Sequence, residues 1–267
     1  MQLKQKNPPQ KPQRDRISFS EFKIWNECSY RHKLIYIDEE PNFSANEFTT
    51  FGTAVHTACE NIVPFPDRNP STIFQREFET LLQEVESYDS RLVEEMRLQA
   101  ENIFPSILPS LQAKFGKYEV VAVEEALLEP MERPEGAPKK NFKGFIDLVI
   151  RSEDGRIHII DWKTCSWGWN ARKKTDKILA YQLVLYKNFY SKKYKIEPEQ
   201  IDVHFALLKR TAKKNNVEFV STSSGPQKTK NALKSLEQAL KNIDKGFVIK
   251  NRLSCKYCSF HNTEKCT

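Results

Sequence analysis

Glycine is scarce: eight in 267 residues, at positions 52, 116, 136, 144, 155, 168, 225 and 246. Spread so widely, they leave no place for the glycine fingerprint of a dinucleotide-binding fold or for the phosphate loop of a nucleotide-driven motor. Long apolar runs are also lacking. None approaches the roughly 20 residues that a bilayer span needs, mean hydropathy is −0.63, and no apolar signal segment follows the polar start. The expectation is a soluble, cytoplasmic protein with no membrane partner. Neither sign of charge dominates: 42 Lys and Arg against 35 Asp and Glu give +7, which favours an anionic partner but excludes a histone-like tail.

What is present is enough chain to bury a core without disulfide staples. Six cysteines with no export signal point to a reducing compartment, where clustered thiols hold metal more often than they pair. Residues 1–16 carry Lys4, Lys6, Lys11, Arg14 and Arg16 among Pro and Gln, with no apolar periodicity, and are expected to form a flexible basic arm. Residues 17–267 are expected to form a single α/β domain, with a helical part over 17–116, a sheet-bearing core over 117–245 and a cysteine tail over 246–267. Ser18 and Glu21 write a capping box. Phe19, Phe22, Trp25 and Cys28 then recur at helical spacing, so the first helix is predicted to run to about Tyr36. Further helices are expected over 51–62, twice or three times within 72–115, and over 175–190 and 227–243. Runs rich in Val, Ile and Phe predict strands at 118–128, 142–150, 156–163, 201–208 and 217–220.

The most informative stretch runs from Gly144 through Asp147, the turn Glu153-Asp154-Gly155, and Asp161-Trp162-Lys163-Thr164. Two acids and a lysine interrupt otherwise apolar strands, and an ionised carboxylate buried without a partner costs several kcal/mol. A two-residue turn at Asp154-Gly155 would set Asp147 opposite Trp162, with the two acids on opposite faces. A three-residue loop ending in a left-handed Gly155 would set Asp147 opposite Asp161, with Lys163 on the same face. We take the second register. Opposed carboxylates repel each other but chelate a hard divalent cation, Mg²⁺ or Mn²⁺. Such a cation polarises a phosphate and acidifies a water, and a neighbouring lysine positions that water, which is phosphodiester hydrolysis chemistry. The bland reading is an edge hairpin whose acids are merely solvated. Glu124 or Glu125, one strand earlier, is either an outer acid or part of a solvated strand edge.

The pattern Gly-h-h-Asp followed by h-h-Asp-x-Lys-Thr resembles the PD-(D/E)xK nuclease superfamily, and within it the RecB-like branch. Phe51-Gly52-Thr-Ala-Val-His56 resembles that branch's helix whose histidine ligates the metal, and Gln182-Leu-Val-Leu-Tyr186 resembles its Gln-x-x-x-Tyr motif. The resemblance implies a restriction-endonuclease-like core and metal-dependent DNA cleavage, exonucleolytic and favouring single-stranded ends. It implies a metal set of His56, Asp147, Asp161 and Trp162. Asp147, Asp161, Lys163, Gln182 and Tyr186 would be the catalytic group, with Gln182 and Tyr186 orienting the lysine and meeting the nucleic-acid backbone. The rival expectation is a nuclease-fold DNA-binding subunit that cuts little. Lacking an ATPase motif, the chain would rely on a separate helicase or recombination partner for unwinding.

Cys255-x-x-Cys258 with Cys266 eight residues on, joined by the early Cys28, makes four thiols, and the spacing alone accepts either zinc or an iron–sulfur cluster. One early cysteine and three late ones around a nuclease core resemble iron–sulfur exonucleases, including the AddB-type nuclease domain and CRISPR-adaptation exonucleases. The resemblance therefore implies a [4Fe–4S] cluster over zinc, stapling the first helix to the tail. Cys59 and Cys165 fall outside this set and read as buried free thiols. Arg172, Lys173, Lys174 and Lys177, and Lys209, Arg210, Lys213 and Lys214, are basic runs suited to a phosphate backbone. Trp167 and Trp169 are rings that would either stack on unpaired bases or join the core.

Overall fold

The computed structural model describes residues 14–41 and 45–267; most of the expected basic arm lies outside them. Its last residue instead opens a strand, β1 (Arg16–Ser18), paired in parallel with Asn141–Lys143. Ser18 caps α1 (Phe19–Glu27) by accepting the Glu21 N–H at 3.1 Å. The single helix expected to Tyr36 is broken at Cys28, which is extended (φ −163°, ψ 110°) and begins α2 (Ser29–His32). There follow α3 (Glu47–Ile62), α4 (Pro70–Leu82) and α5 (Ser90–Phe115). Strands β2 (Tyr118–Pro130), β3 (Asn141–Ser152) and β4 (Ile157–Cys165) come next. The chain continues through α6 (Ala171–Lys174), α7 (Lys177–Tyr194), β5 (Ile201–Lys209), β6 (Val217–Ser221) and α8 (Pro226–Asp244).

Six strands among the described residues form one mixed sheet, ordered β1-β3-β4-β5-β6 with β2 on the other edge of β3. Two cores sandwich it. Phe22, Ile146, Ile159, Leu183, Tyr186 and Leu236 pack on the face covered by α1, α7 and α8. Phe51, Phe74, Met96, Leu148, Ile160 and Trp162 pack on the face covered by α3, α4 and α5. This is the helix–sheet–helix layering that lets both faces of a central strand be apolar.

The β3–β4 hairpin has the three-residue loop. Arg151 pairs with Ile157 and Leu148 with Ile160, while Gly155 sits at φ 82°. Continued along the chain, that register puts Asp147 across from Asp161. The ladder itself stops at Leu148 and Ile160, and β1 takes the same edge of β3 only from Lys143 back to Asn141. Residues 144–147 therefore line a gap in the sheet. At that gap β3 changes face: Ile146 and Leu148 belong to opposite cores, although residues two apart in a regular strand share one. On β2 the residue beside the switch is Glu124, in the left-handed region at φ 49°. Glutamate there is strained, a cost that folds retain mainly at functional positions.

Candidate active site

Four elements deliver side chains to the gap. From β3, Asp147 turns its Oδ2 to the backbone N–H of Trp162, which donates at 2.7 Å. From β4, Asp161 is buried; its Oδ1 accepts from Gln182 Nε2 at 2.7 Å, and its Oδ2 is ion-paired with the Lys163 ammonium. From α7, Gln182 and Tyr186 stand one turn apart, with Gln182 Nε2 3.4 Å from the tyrosine oxygen. From α3, His56 Nδ1 lies 3.7 Å from Asp147 Oδ2.

Two glycines allow these approaches. A Cβ on Gly144 would lie 2.7 Å from Tyr186 Cε1, and one on Gly52 would lie 3.2 Å from Thr164 Oγ1. The first is closer than real side chains tolerate, so α7 reaches the sheet only over a glycine. The second is tight, and glycine lets α3 approach β4 just beyond Lys163.

Electrostatically the site is frustrated. Burial, and then repulsion from Asp161, holds the Asp147 carboxyl well above its ordinary range. Burial also raises Asp161, opposed by the neighbouring Lys163. Burial, helped by Lys163, pushes His56 down to about 4, so its imidazole is neutral at neutral pH. Tyr186 is raised by burial and by the charge of Asp161, and stays protonated. Two crowded carboxylates and an uncharged imidazole form a donor set suited to a hard divalent cation.

Sequence reasoning missed Glu60, one turn after His56 on α3. It hydrogen-bonds Glu124, and burial with that neighbour's charge pushes it up to about 7. The only available signal was its spacing of four from His56. Of the two candidate outer acids, Glu124 thus lies beside the site, whereas Glu125 pairs with Lys193 and Tyr194. The Trp162 indole is fully buried in the core on the α3 side, so Trp162 meets the site through its backbone. Trp169 is likewise a core residue, packed on Phe205 with ring centroids 5.0 Å apart.

The four cysteines Cys28, Cys255, Cys258 and Cys266 line one cavity, together with Arg31, Lys250, Arg252 and His261. The break at Cys28 exposes its sulfur to two backbone N–H donors, Arg31 at 3.5 Å and Asn251 at 3.4 Å. The tail is fastened there by Tyr30 N–H to Ile249 O (3.1 Å), Ser254 Oγ to Glu27 O (2.7 Å) and Tyr30 OH to Lys265 O (3.0 Å). Cys59 is a buried free thiol and Cys165 a partly buried one. Among the described residues, no three His, Cys, Asp or Glu side chains stand at the mutual spacing of a formed metal site.

A mixed sheet between helical layers, with Asp147 and Asp-x-Lys converging where β3 and β4 part, is the arrangement of the PD-(D/E)XK nucleases. The model of the PD-(D/E)XK nuclease superfamily matches residues 16–263, and the chain belongs to that superfamily. Among solved structures it is similar to a "Putative exonuclease" from Eubacterium rectale, at 14% identity and a TM-score of 0.58, over 97% of this chain and 92% of that one. At that identity the likeness is one of fold. The structure of SSO0001 covers 90% of this chain and 93% of its own at 13% identity, but its TM-score of 0.36 carries no argument. No curated protein matches. No helix among the described residues is long and apolar enough to cross a membrane.

Proposed function

We propose that this chain is a Mg²⁺- or Mn²⁺-dependent deoxyribonuclease that hydrolyses phosphodiester bonds from DNA ends, single-stranded ends above all. The observation that carries the reading is the convergence of Asp147, Asp161 and neutral His56 around one gap in the sheet, with Lys163 tethered to Asp161. His56, Asp147 and Asp161 would hold the metal, which when bound polarises the phosphate and lowers the pKa of a water. Lys163 orients the attacking water and offsets charge that builds on the phosphate oxygens. Gln182 fixes the Asp161 carboxylate, and protonated Tyr186 positions the strand.

The four-cysteine cavity supports a structural [4Fe–4S] cluster. All four sulfurs line that one cavity, and Lys250 and Arg252 in the same lining would offset the charge of four thiolate ligands. Unwinding would fall to a separate helicase or recombination partner.

End-labelled single- and double-stranded DNA digested in Mn²⁺ tests the main reading. Wild type should shorten the label stepwise, single strands faster, and Asp161→Asn or Asp147→Asn should stop cleavage. Asp147→Asn should also melt higher than wild type in chelator, because it removes a carboxylate that its buried neighbour repels. Cutting within tenfold of wild type in either variant would overturn the assignment. DNA binding without cutting by the wild type would point to the binding-subunit alternative.

A further inference from the structure

Just past Lys163, the ends of β4 and β5 are laced together beyond the sheet. Arg210 N–H donates to Cys165 O at 2.9 Å, and Thr211 donates to Ser166 O from its N–H at 3.1 Å and its Oγ1 at 2.7 Å. This pins Ser166 and fixes where the next loop starts. Gly168, at φ 108°, then separates two tryptophans. Trp169 folds into the core, while Trp167 is turned outward with 76% of its surface exposed. A rigid loop that spends a large indole on solvent beside an active-site strand calls for an explanation.

The neighbouring groups supply one. Arg210 is anchored by two neutral partners, Gln99 Oε1 at 2.8 Å and Ser166 Oγ at 3.2 Å, so these contacts leave its charge uncompensated. Its guanidinium lies over the ring of Phe48, 5.1 Å from the centroid, and Phe48 is itself 51% exposed. Phe48 sits on α3 one turn before Gly52 and two turns before His56, on the helix that feeds the site. Two exposed aromatic rings and a guanidinium anchored by neutral partners therefore lie on the segments that flank Lys163 and lead into His56. A duplex offers phosphates but keeps its base faces stacked inside, whereas a single strand offers both.

We propose that Trp167, Phe48 and Arg210 form a platform for unpaired nucleotides of the substrate strand, Trp167 stacking on a base and Arg210 meeting the phosphates. This deepens the nuclease reading and rests on it, since it gives that site a physical reason to select unpaired ends. Stacking on an aromatic side chain is worth enough per base to change affinity about 5- to 150-fold.

The test uses the full chain in chelator with a short oligothymidylate and a blunt duplex. The other tryptophans are buried or partly so, so the single strand should quench the wild-type emission chiefly through Trp167. Trp167→Ala should weaken oligothymidylate binding about 5- to 150-fold, Trp167→Phe should restore it, and duplex binding should move less than twofold. With Mn²⁺ present, the loss should fall on KM for single strands. Unchanged oligothymidylate affinity in Trp167→Ala, or equal weakening for both DNAs, would overturn the platform. A wild type that binds and is quenched but never cuts would remove the nuclease reading and leave the platform standing.

Discussion

Gln182 donates from Nε2 to Oδ1 of Asp161 at 2.7 Å, so the two oxygens of that buried carboxylate are divided between a helix and a lysine. The orientation of the acid is thus set from α7 as well as from its own strand. Gln182→Leu would leave Oδ1 without its donor, at a cost of roughly 1–3 kcal/mol seen as a lower melting temperature. It should also raise the Mn²⁺ concentration for half-maximal cleavage about 10- to 100-fold, the usual effect of losing the group that orients a ligand. An unchanged metal titration would mean that Gln182 only packs.

The hairpin makes a second prediction. Gly155 closes a three-residue loop that sets Arg151 against Ile157 and, through them, Asp147 against Asp161. Inserting one alanine between Asp154 and Gly155 shifts the register by one and turns Asp161 and Lys163 to the other face. Cleavage should vanish although no site residue is altered, and circular dichroism should show the sheet retained. Full activity in the insertion variant would show that the loop does not set the register.

That register was legible in the sequence because its determinants are local: a glycine where positive φ is needed, and two acids that need a common face. The strands and the later helices were legible for the same reason, with ends a few residues off. Three features were not legible. Cys28 breaks its helix because a tail more than two hundred residues later docks there and Ile249 takes the Tyr30 N–H. Trp162 meets Asp147 through a backbone N–H, a role that no side-chain identity encodes. Glu60 matters only because β2 brings Glu124 to it, and no pattern within α3 announces that meeting.

A third prediction concerns acid. His158 Nδ1 and His204 Nε2 are 3.3 Å apart, bracketed by Ser152 Oγ at 2.9 Å and Ser221 Oγ at 3.1 Å, under the ring of Phe115. Burial holds both imidazoles neutral. His204 is pushed down to about 4, with His158 and then Lys114 adding to the effect and Asp202 opposing it. The unfolded chain takes up the His204 proton near pH 6.5, the folded chain only near 4, so this contribution to stability is complete above that upper value and is lost as pH falls through the window. Urea unfolding in chelator at pH 7.5 and 5 should show a loss on the order of 1–3 kcal/mol. His204→Phe should flatten the profile, and equal dependence in that variant would assign the acid lability elsewhere.

The last prediction concerns the tail. Cys266 lies in the cysteine tail, outside every helix and sheet strand among the described residues and joined to Thr263 by an isolated bridge. The ties around it are light: Asn262 N–H to Cys266 O at 3.1 Å, Cys266 N–H to Thr263 O at 3.0 Å, the Tyr30 hydroxyl on Lys265 O, the Lys265 ammonium on Glu40, and Lys250 Nζ on Thr267 O at 3.3 Å. All are short-range or exposed, and none explains why Cys266 shares a cavity with Cys28, Cys255 and Cys258. A metal held by all four would, since coordination across so long a loop removes unfolded-state entropy and couples binding to folding. Cys266→Ser keeps the chain length and nearly the volume while replacing a quarter of the proposed ligands. Anaerobically purified wild type should carry iron and a broad absorption near ~400 nm. The variant should lose most of both and melt several degrees lower. Stoichiometric zinc without colour would identify the other occupant. Equal metal content and equal melting in Cys266→Ser would remove Cys266 from the ligand set.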